Sequence, residues 1–327
     1  MTLQNTDDLL ALDAEAEIER TAASLRGQLR TMRKRGLVLG LSGGIDSSVS
    51  LGLAVRAVGR QNVLGIFMPE DDSDPESLRL GRLVAETFGV EAVVEDIGPG
   101  LRAMGCYERR DALIRELVPD YGPGWASKIV IVNALEGDSF NISSLVVQDP
   151  QGNQQRLRMP AATYLGIVAA TNMKQRTRKQ LEYYHADRLN FAVVGTPNRL
   201  EYDQGFFVKN GDGAADVKPI AHLYKTQVYA LAKALGIPED ITSRPPTTDT
   251  YSLPQTQEEF YFSLPYDRMD LCLYGLNHGI SADRIGQAAG LSVAQVERVW
   301  QDIAAKRRAT RYLHLGPQLV APVEEVS

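Results

Sequence analysis

The chain has 327 residues, 44% of them hydrophobic and 23% charged, with a formal net charge of −6. That length holds one large α/β domain or two small ones, and the acidic balance argues against a general nucleic-acid-binding surface. The two cysteines, Cys106 and Cys272, have no CxxC or His-x₃-His companion, which excludes a zinc ribbon or a disulfide framework and fits a reducing compartment.

The opening stretch, MTLQNTDDLLALDAEAEIER, is polar and acidic, unlike a signal peptide. Residues 8–33 then place Leu9, Leu10, Leu12, Ile18, Leu25 and Leu29 at helical spacing, with a basic end. GLVLGL (36–41) predicts a strand, 46–58 a helix, NVLGIFM (62–68) a strand, 75–88 a helix and EAVVED (91–96) a strand. Apolar strands alternating with helices predict a doubly wound parallel sheet with helices on both faces. Residues 100–118 read as helix, and 119–159 as an irregular insertion with a few β-like pieces. A long helix (161–186), a buried strand (189–196) and a helix (222–235) follow. A Pro/Thr/Gln stretch at 244–265 reads as a mobile lid that orders with its ligand, and three helical segments form a C-terminal tail. The longest apolar stretch, 39–55, is interrupted by Asp46, so no membrane span is expected and the chain reads as cytoplasmic.

LGLSGGIDSS (39–48) carries the chemistry. A glycine pair between a buried strand and a helix lets backbone N–H groups converge on one concavity, and Ser42, Ser47 and Ser48 add donors. It is a phosphate cradle without the Walker A or GxGxxG spacing. Asp46 beside a phosphate requires an intervening cation, which points to Mg²⁺. Taken alone, the loop also reads as a glycine turn with an Asp cap.

SGGxDS resembles the signature loop of the N-type ATP pyrophosphatases, an adenine nucleotide alpha-hydrolase-like fold. The run GTPNRLEYDQGFFVKNGDGAADVKPIAHLYKTQVYALAKALGIPEDITSRPPTTD (195–249) and the helix NMKQRTRKQLEYY (172–184) narrow the resemblance to the NAD synthetase family. The resemblance covers about 36–107 and 160–310 and treats 1–327 as one domain. It implies that Ser42, Gly43, Gly44, Asp46, Ser47, Ser48, Met68, Thr196, Lys225 and Thr247 meet ATP, with Phe67, Pro69 and Ser77 at the adenine end. It further implies Asp46, Glu201 and Thr247 on Mg²⁺, and Asp46, Lys225 and Asp212 in catalysis, Asp212 lying near Lys225. Asn172, Arg176, Arg178 and Asp216 would bind the dinucleotide.

The implied reaction is ATP-dependent amidation of deamido-NAD with ammonia, in a homodimer joined through the long helices. About 35 residues precede the first strand, too few for a glutaminase domain, so ammonia arrives free or from a separate glutaminase. Three departures stand out. The lid has Gln257-Glu258 and an aromatic run, Phe260-Tyr261-Phe262, where the family has an Asp-Glu pair and a glycine. The family's terminal His-Lys-Arg element appears as Thr310-Arg311-Tyr312, and the insertion has no counterpart in the compact bacterial form. These departures keep open a paralogue that amidates another carboxylate. Residues 281–308 also read as helix-turn-helix, which keeps open a nucleotide-sensing DNA-binding protein.

Overall fold

Side-chain alternation decides how β1 (Leu37–Gly40) is covered. Leu37 and Leu39 point to one face of the sheet and Val38 to the other, and all three are fully buried. The computed structural model describes residues 9–131, 143–247, 250–257, 261–262 and 264–324. In it β1 pairs with β2 (Val63–Phe67) and β7 (Ala192–Val193), and β2 pairs with β3 (Glu91–Val94), all in parallel. The order is β3-β2-β1-β7.

Leu37 and Leu39 pack with α1 (Ala14–Met32), α2 (Ile45–Val58), α3 (Pro75–Phe88) and α8 (Lys225–Ala234). Val38, Leu64 and Ile66 pack with Leu101 of α4 (Gly98–Ala103), Cys106 of α5 (Cys106–Arg115) and Ala186 of α6 (Ala161–Leu189). Each such aliphatic side chain contributes about 1.5–3 kcal/mol of burial free energy. The sheet is doubly wound, as the alternation predicts.

Several boundaries differ from the sequence reading, each for a local reason. Residues 100–118 split into α4 and α5 because Gly105 takes a left-handed φ of 70°. The long helix runs on to Leu189, where Asn190 caps it at φ 56°. The strand expected at 189–196 shortens to Ala192–Val193, extended by a single bridge from Val194 to Val217. The helix expected from residue 222 starts at Lys225.

The larger difference lies in 119–159, where the described residues, 119–131 and 143–159, include regular strands. It holds β4 (Ala126–Ile131), β5 (Ser143–Gln148) and β6 (Gln154–Arg158), paired antiparallel in that order. Ile129, Leu145 and Val147 bury one face of this small sheet against Ile114 of α5 and Ile167 of α6.

After the short α9 (Glu239–Thr242), α10 (Tyr266–His278), α11 (Ala282–Ala289) and α12 (Val293–Thr310) form the tail and share a core with Leu200 and Tyr224. Two cations that a DNA-reading helix would present are already engaged. Lys306 pairs with Asp302 at 2.6 Å and Arg307 with Asp203 at 2.5 Å. Among the described residues no helix is long and apolar enough to cross a membrane.

Candidate active site

The carboxyl ends of β1, β2 and β7 open onto a cleft of about 1240 Å³, the place where an open parallel sheet receives its ligands. β1 runs into Ser42-Gly43-Gly44. Gly43 has φ +74°, and a Cβ there would stand 2.4 Å from the Ser77 carbonyl oxygen, so only glycine fits. Gly44 caps α2 without any side-chain hydrogen bond. Gly44 donates its own N–H to Ser42 Oγ at 3.3 Å, the amides of Ile45, Asp46 and Ser47 meet no side-chain acceptor among the described residues, and Gly44, Ile45, Asp46 and Ser47 line the cleft. Such a helix end favours an anion.

Three side chains converge on the first turn of α2. Lys225, the opening residue of α8, is 1% exposed and places Nζ 2.5 Å from Asp46 Oδ2. Asn198 donates its side-chain amide to Asp46 Oδ1 at 3.2 Å and its backbone N–H to Glu201 Oε2 at 3.1 Å. Asn198 and Glu201 form a capping box at the start of α7 (Arg199–Gln204), so the helix that begins after Thr196 sets Glu201 beside Asp46. Burial first, and then the Asp46 charge, hold the Glu201 carboxyl well above the usual carboxylate range. Burial alone would depress Lys225, but Asp46 and Glu201 outweigh it and the ammonium titrates above its ordinary range.

A sequence profile described as NAD synthase matches residues 17–116 and 139–311. An NH(3)-dependent NAD(+) synthetase of Rhizobium meliloti (strain 1021) is 82% identical over 98% of this chain and 96% of its own length. One from Rhizobium rhizogenes (strain K84) is 65% identical over 97% and 96%. The chain belongs to the NAD synthase family. Among solved structures, an NMN synthetase from Francisella tularensis superposes with TM-score 0.63 at 22% identity, covering 94% of this chain and all of its own. An NH3-dependent NAD synthetase from Campylobacter jejuni superposes at 0.60 and 20% identity, covering 95% of this chain and all of its own. At those identities the two structures carry the fold alone.

NAD synthases take ATP as co-substrate, and most residues expected to meet it share the cleft. Ser42, Gly43, Gly44, Asp46, Ser47, Phe67, Met68, Pro69, Ser77, Thr196, Lys225 and Thr247 all line it. Ser48 departs from the expectation. It is fully buried, donates to the Gly44 carbonyl oxygen at 2.9 Å and braces the loop instead of lining the cleft.

Of the residues expected at the dinucleotide, Asn172, Arg176 and Arg178 line the cleft. Arg176 donates to the Lys209 carbonyl oxygen and Arg178 to that of Met68. Asp216 does not line the cleft. It accepts the Val193 N–H at 2.7 Å and the Tyr183 hydroxyl at 3.3 Å, closing the backbone at the short strand β7. Asp212 lines the cleft, but its bond is to the Val208 N–H at 2.8 Å, and the carboxylate that meets Lys225 Nζ is Asp46. Of the aromatic lid run, Tyr261 and Phe262 are described and pack on Phe206, while Glu258 and Phe260 lie outside the described residues.

Asn198, which links Asp46 to Glu201, is absent from the residues expected at the site from sequence. Its signal was present as an Asn three positions before a Glu at a helix start.

Proposed function

We propose that the chain makes NAD from deamido-NAD, ATP and ammonia, releasing pyrophosphate and AMP. One observation carries the reading: a glycine-loop anion cradle, two adjoining acids and a buried lysine share a cleft of about 1240 Å³, spacious enough for a nucleotide and a second nucleotide-like substrate.

The nicotinate carboxylate attacks the α-phosphorus of ATP, and the bond to the α–β bridging oxygen breaks as pyrophosphate leaves. The amides of α2 and the Lys225 ammonium face the charge that grows on pyrophosphate, fixed in place before the reaction starts. Ammonia then adds to the adenylated carbonyl carbon, loses a proton, and AMP leaves with the electron pair of its C–O bond. Water must be kept from the adenylate during this second step. Thr247, Phe206 and Tyr261 line the cleft, and the segment that carries Thr247 is the part that would shield the adenylate from water.

Asp46, Glu201 and Thr247 suit Mg²⁺. The donors are all oxygen, and two carboxylates with a hydroxyl leave the remaining positions to phosphate and water. When bound, the ion supplies countercharge to the pyrophosphate oxygens.

The same reading includes a homodimer through α6, whose Leu165 and Tyr184 are 64% and 59% exposed. Sedimentation velocity reads the dimer directly, and Leu165→Asp with Tyr184→Asp shifts it to monomer. Both cysteines are free thiols, in keeping with a reducing, cytoplasmic setting. In this reading ammonia arrives free or from a separate glutaminase.

The test is a two-substrate assay with ATP and ammonia, following AMP and amidated product. Turnover with deamido-NAD is the expected result. AMP release with another carboxylate and none with deamido-NAD overturns the reading.

A further inference from the structure

The lid is held from the small antiparallel sheet. Leu253 N–H donates to the Ser127 carbonyl oxygen at 3.2 Å, Ser127 N–H to Ser252 Oγ at 2.9 Å, and Gln255 Nε2 to the Ile129 carbonyl oxygen at 2.5 Å. Lys128 Nζ adds a bond to the Pro254 carbonyl oxygen at 3.2 Å. Tyr251 joins Ile129, Leu145 and Val147 on one face of the sheet, while Leu253 joins Val130 and Val146 on the other. Residues two apart on opposite-facing clusters would share a face in a regular strand, so the segment twists around the β4 edge and clips it from both sides.

This clip delivers one side chain to the acid pair. Thr256 bridges Thr247, the Gln257 N–H donates to the Pro246 carbonyl oxygen, and Gln257 Nε2 donates to Glu201 Oε1 at 2.9 Å. With Asn198 N–H on Oε2, both oxygens of Glu201 are thereby oriented. On the α6 side, Lys174 Nζ donates to the Thr250 carbonyl oxygen at 3.0 Å. β4 lies between the two stretches matched by the family profile, 17–116 and 139–311, so the strand that grips the lid lies outside the part this chain shares with that profile.

We propose that Gln257 is a positioning residue for Glu201, and that the β4 edge holds it there. The proposal rests on the reading of Glu201 as an Mg²⁺ ligand. A group that orients a metal-binding carboxylate typically changes metal affinity by 10–100-fold when removed. Lid docking and metal affinity are therefore coupled through one amide.

The test uses full-length protein and three variants: Gln257→Met, Leu253→Ser and the two together. Mn²⁺ binding is followed by electron paramagnetic resonance in the presence of a non-hydrolysable ATP analogue, and hydrogen exchange is followed in peptides covering 250–257. Gln257→Met is expected to weaken Mn²⁺ binding about tenfold, with exchange at Leu253 unchanged. Leu253→Ser is expected to raise exchange across 250–257 and to weaken Mn²⁺ binding to a similar extent. The double variant is expected to bind no more weakly than Leu253→Ser alone.

Unchanged Mn²⁺ binding in Gln257→Met, or additive losses in the double variant, overturns the proposal. Glu201→Gln separates the two levels. If it too leaves Mn²⁺ binding unchanged, the metal reading itself fails. If it weakens binding while Gln257→Met does not, only the positioning role fails.

Discussion

Asn198 Nδ2 donates to Asp46 Oδ1 at 3.2 Å, joining two residues that lie 152 positions apart in the chain. One asparagine thus starts α7, orients Glu201 with its backbone and restrains Asp46 with its side chain. Asn198→Ala is expected to remove about 1 kcal/mol of helix capping and to lower kcat/KM by about two orders of magnitude. Thermal melting and AMP release read the two effects separately. A melting shift with kcat/KM intact would reduce Asn198 to a cap.

Lys225 is the cation that the cleft holds buried against Asp46. Lys225→Met is expected to lower kcat about 10²–10³-fold, because the countercharge to the departing pyrophosphate is lost. Pre-steady-state quenching that shows slowed adenylate formation, with far-ultraviolet circular dichroism unchanged, is the expected pattern. Adenylation at the wild-type rate contradicts it.

Gly43 has no room for a methyl group. Gly43→Ala places an L-residue at φ +74° and a carbon 2.4 Å from the Ser77 carbonyl oxygen, so the loop must shift away from α3. The left-handed conformation alone costs about 1–2 kcal/mol. Calorimetric titration with ATP is expected to show affinity reduced at least tenfold, and wild-type affinity would dismiss the loop as the phosphate cradle.

Asp270 predicts a pH dependence of stability. Its carboxylate accepts the N–H groups of Lys225 and Thr226 at the start of α8, and burial pushes its pKa up to about 7 from 3.8. The folded state therefore holds a proton that the unfolded state has released. Between about pH 4 and pH 7 this group makes stability fall as pH rises, by an amount on the order of a few kcal/mol at most. Asp270→Asn is expected to flatten that slope in urea unfolding measured at pH 5 and pH 8. An unchanged slope assigns the dependence elsewhere.

The sequence was legible where chemistry forces a local choice. The apolar run, the glycine pair and Asp46 mark a buried strand, a tight turn and a helix start, and the doubly wound sheet follows from alternation that its burial matches. The β4–β6 sheet was hidden because β6, QQRLR, is almost entirely exposed and lacks the apolar alternation that marks a strand. Ser48 and Asp216 lie off the cleft for a different reason. A hydroxyl or carboxylate beside a motif can turn to the backbone instead of the ligand, and spacing does not distinguish the two directions.

α12 reaches the lid from the far end of the chain, where Lys306 Nζ donates to the Tyr261 carbonyl oxygen at 2.6 Å and its ammonium lies 4.7 Å from the centre of that ring. A purification tag or fusion partner appended behind this helix would act on the element that fixes Tyr261 at the wall of the cleft. Kinetic constants from material tagged at that end should be checked against cleaved or N-terminally tagged protein before they are attributed to the enzyme.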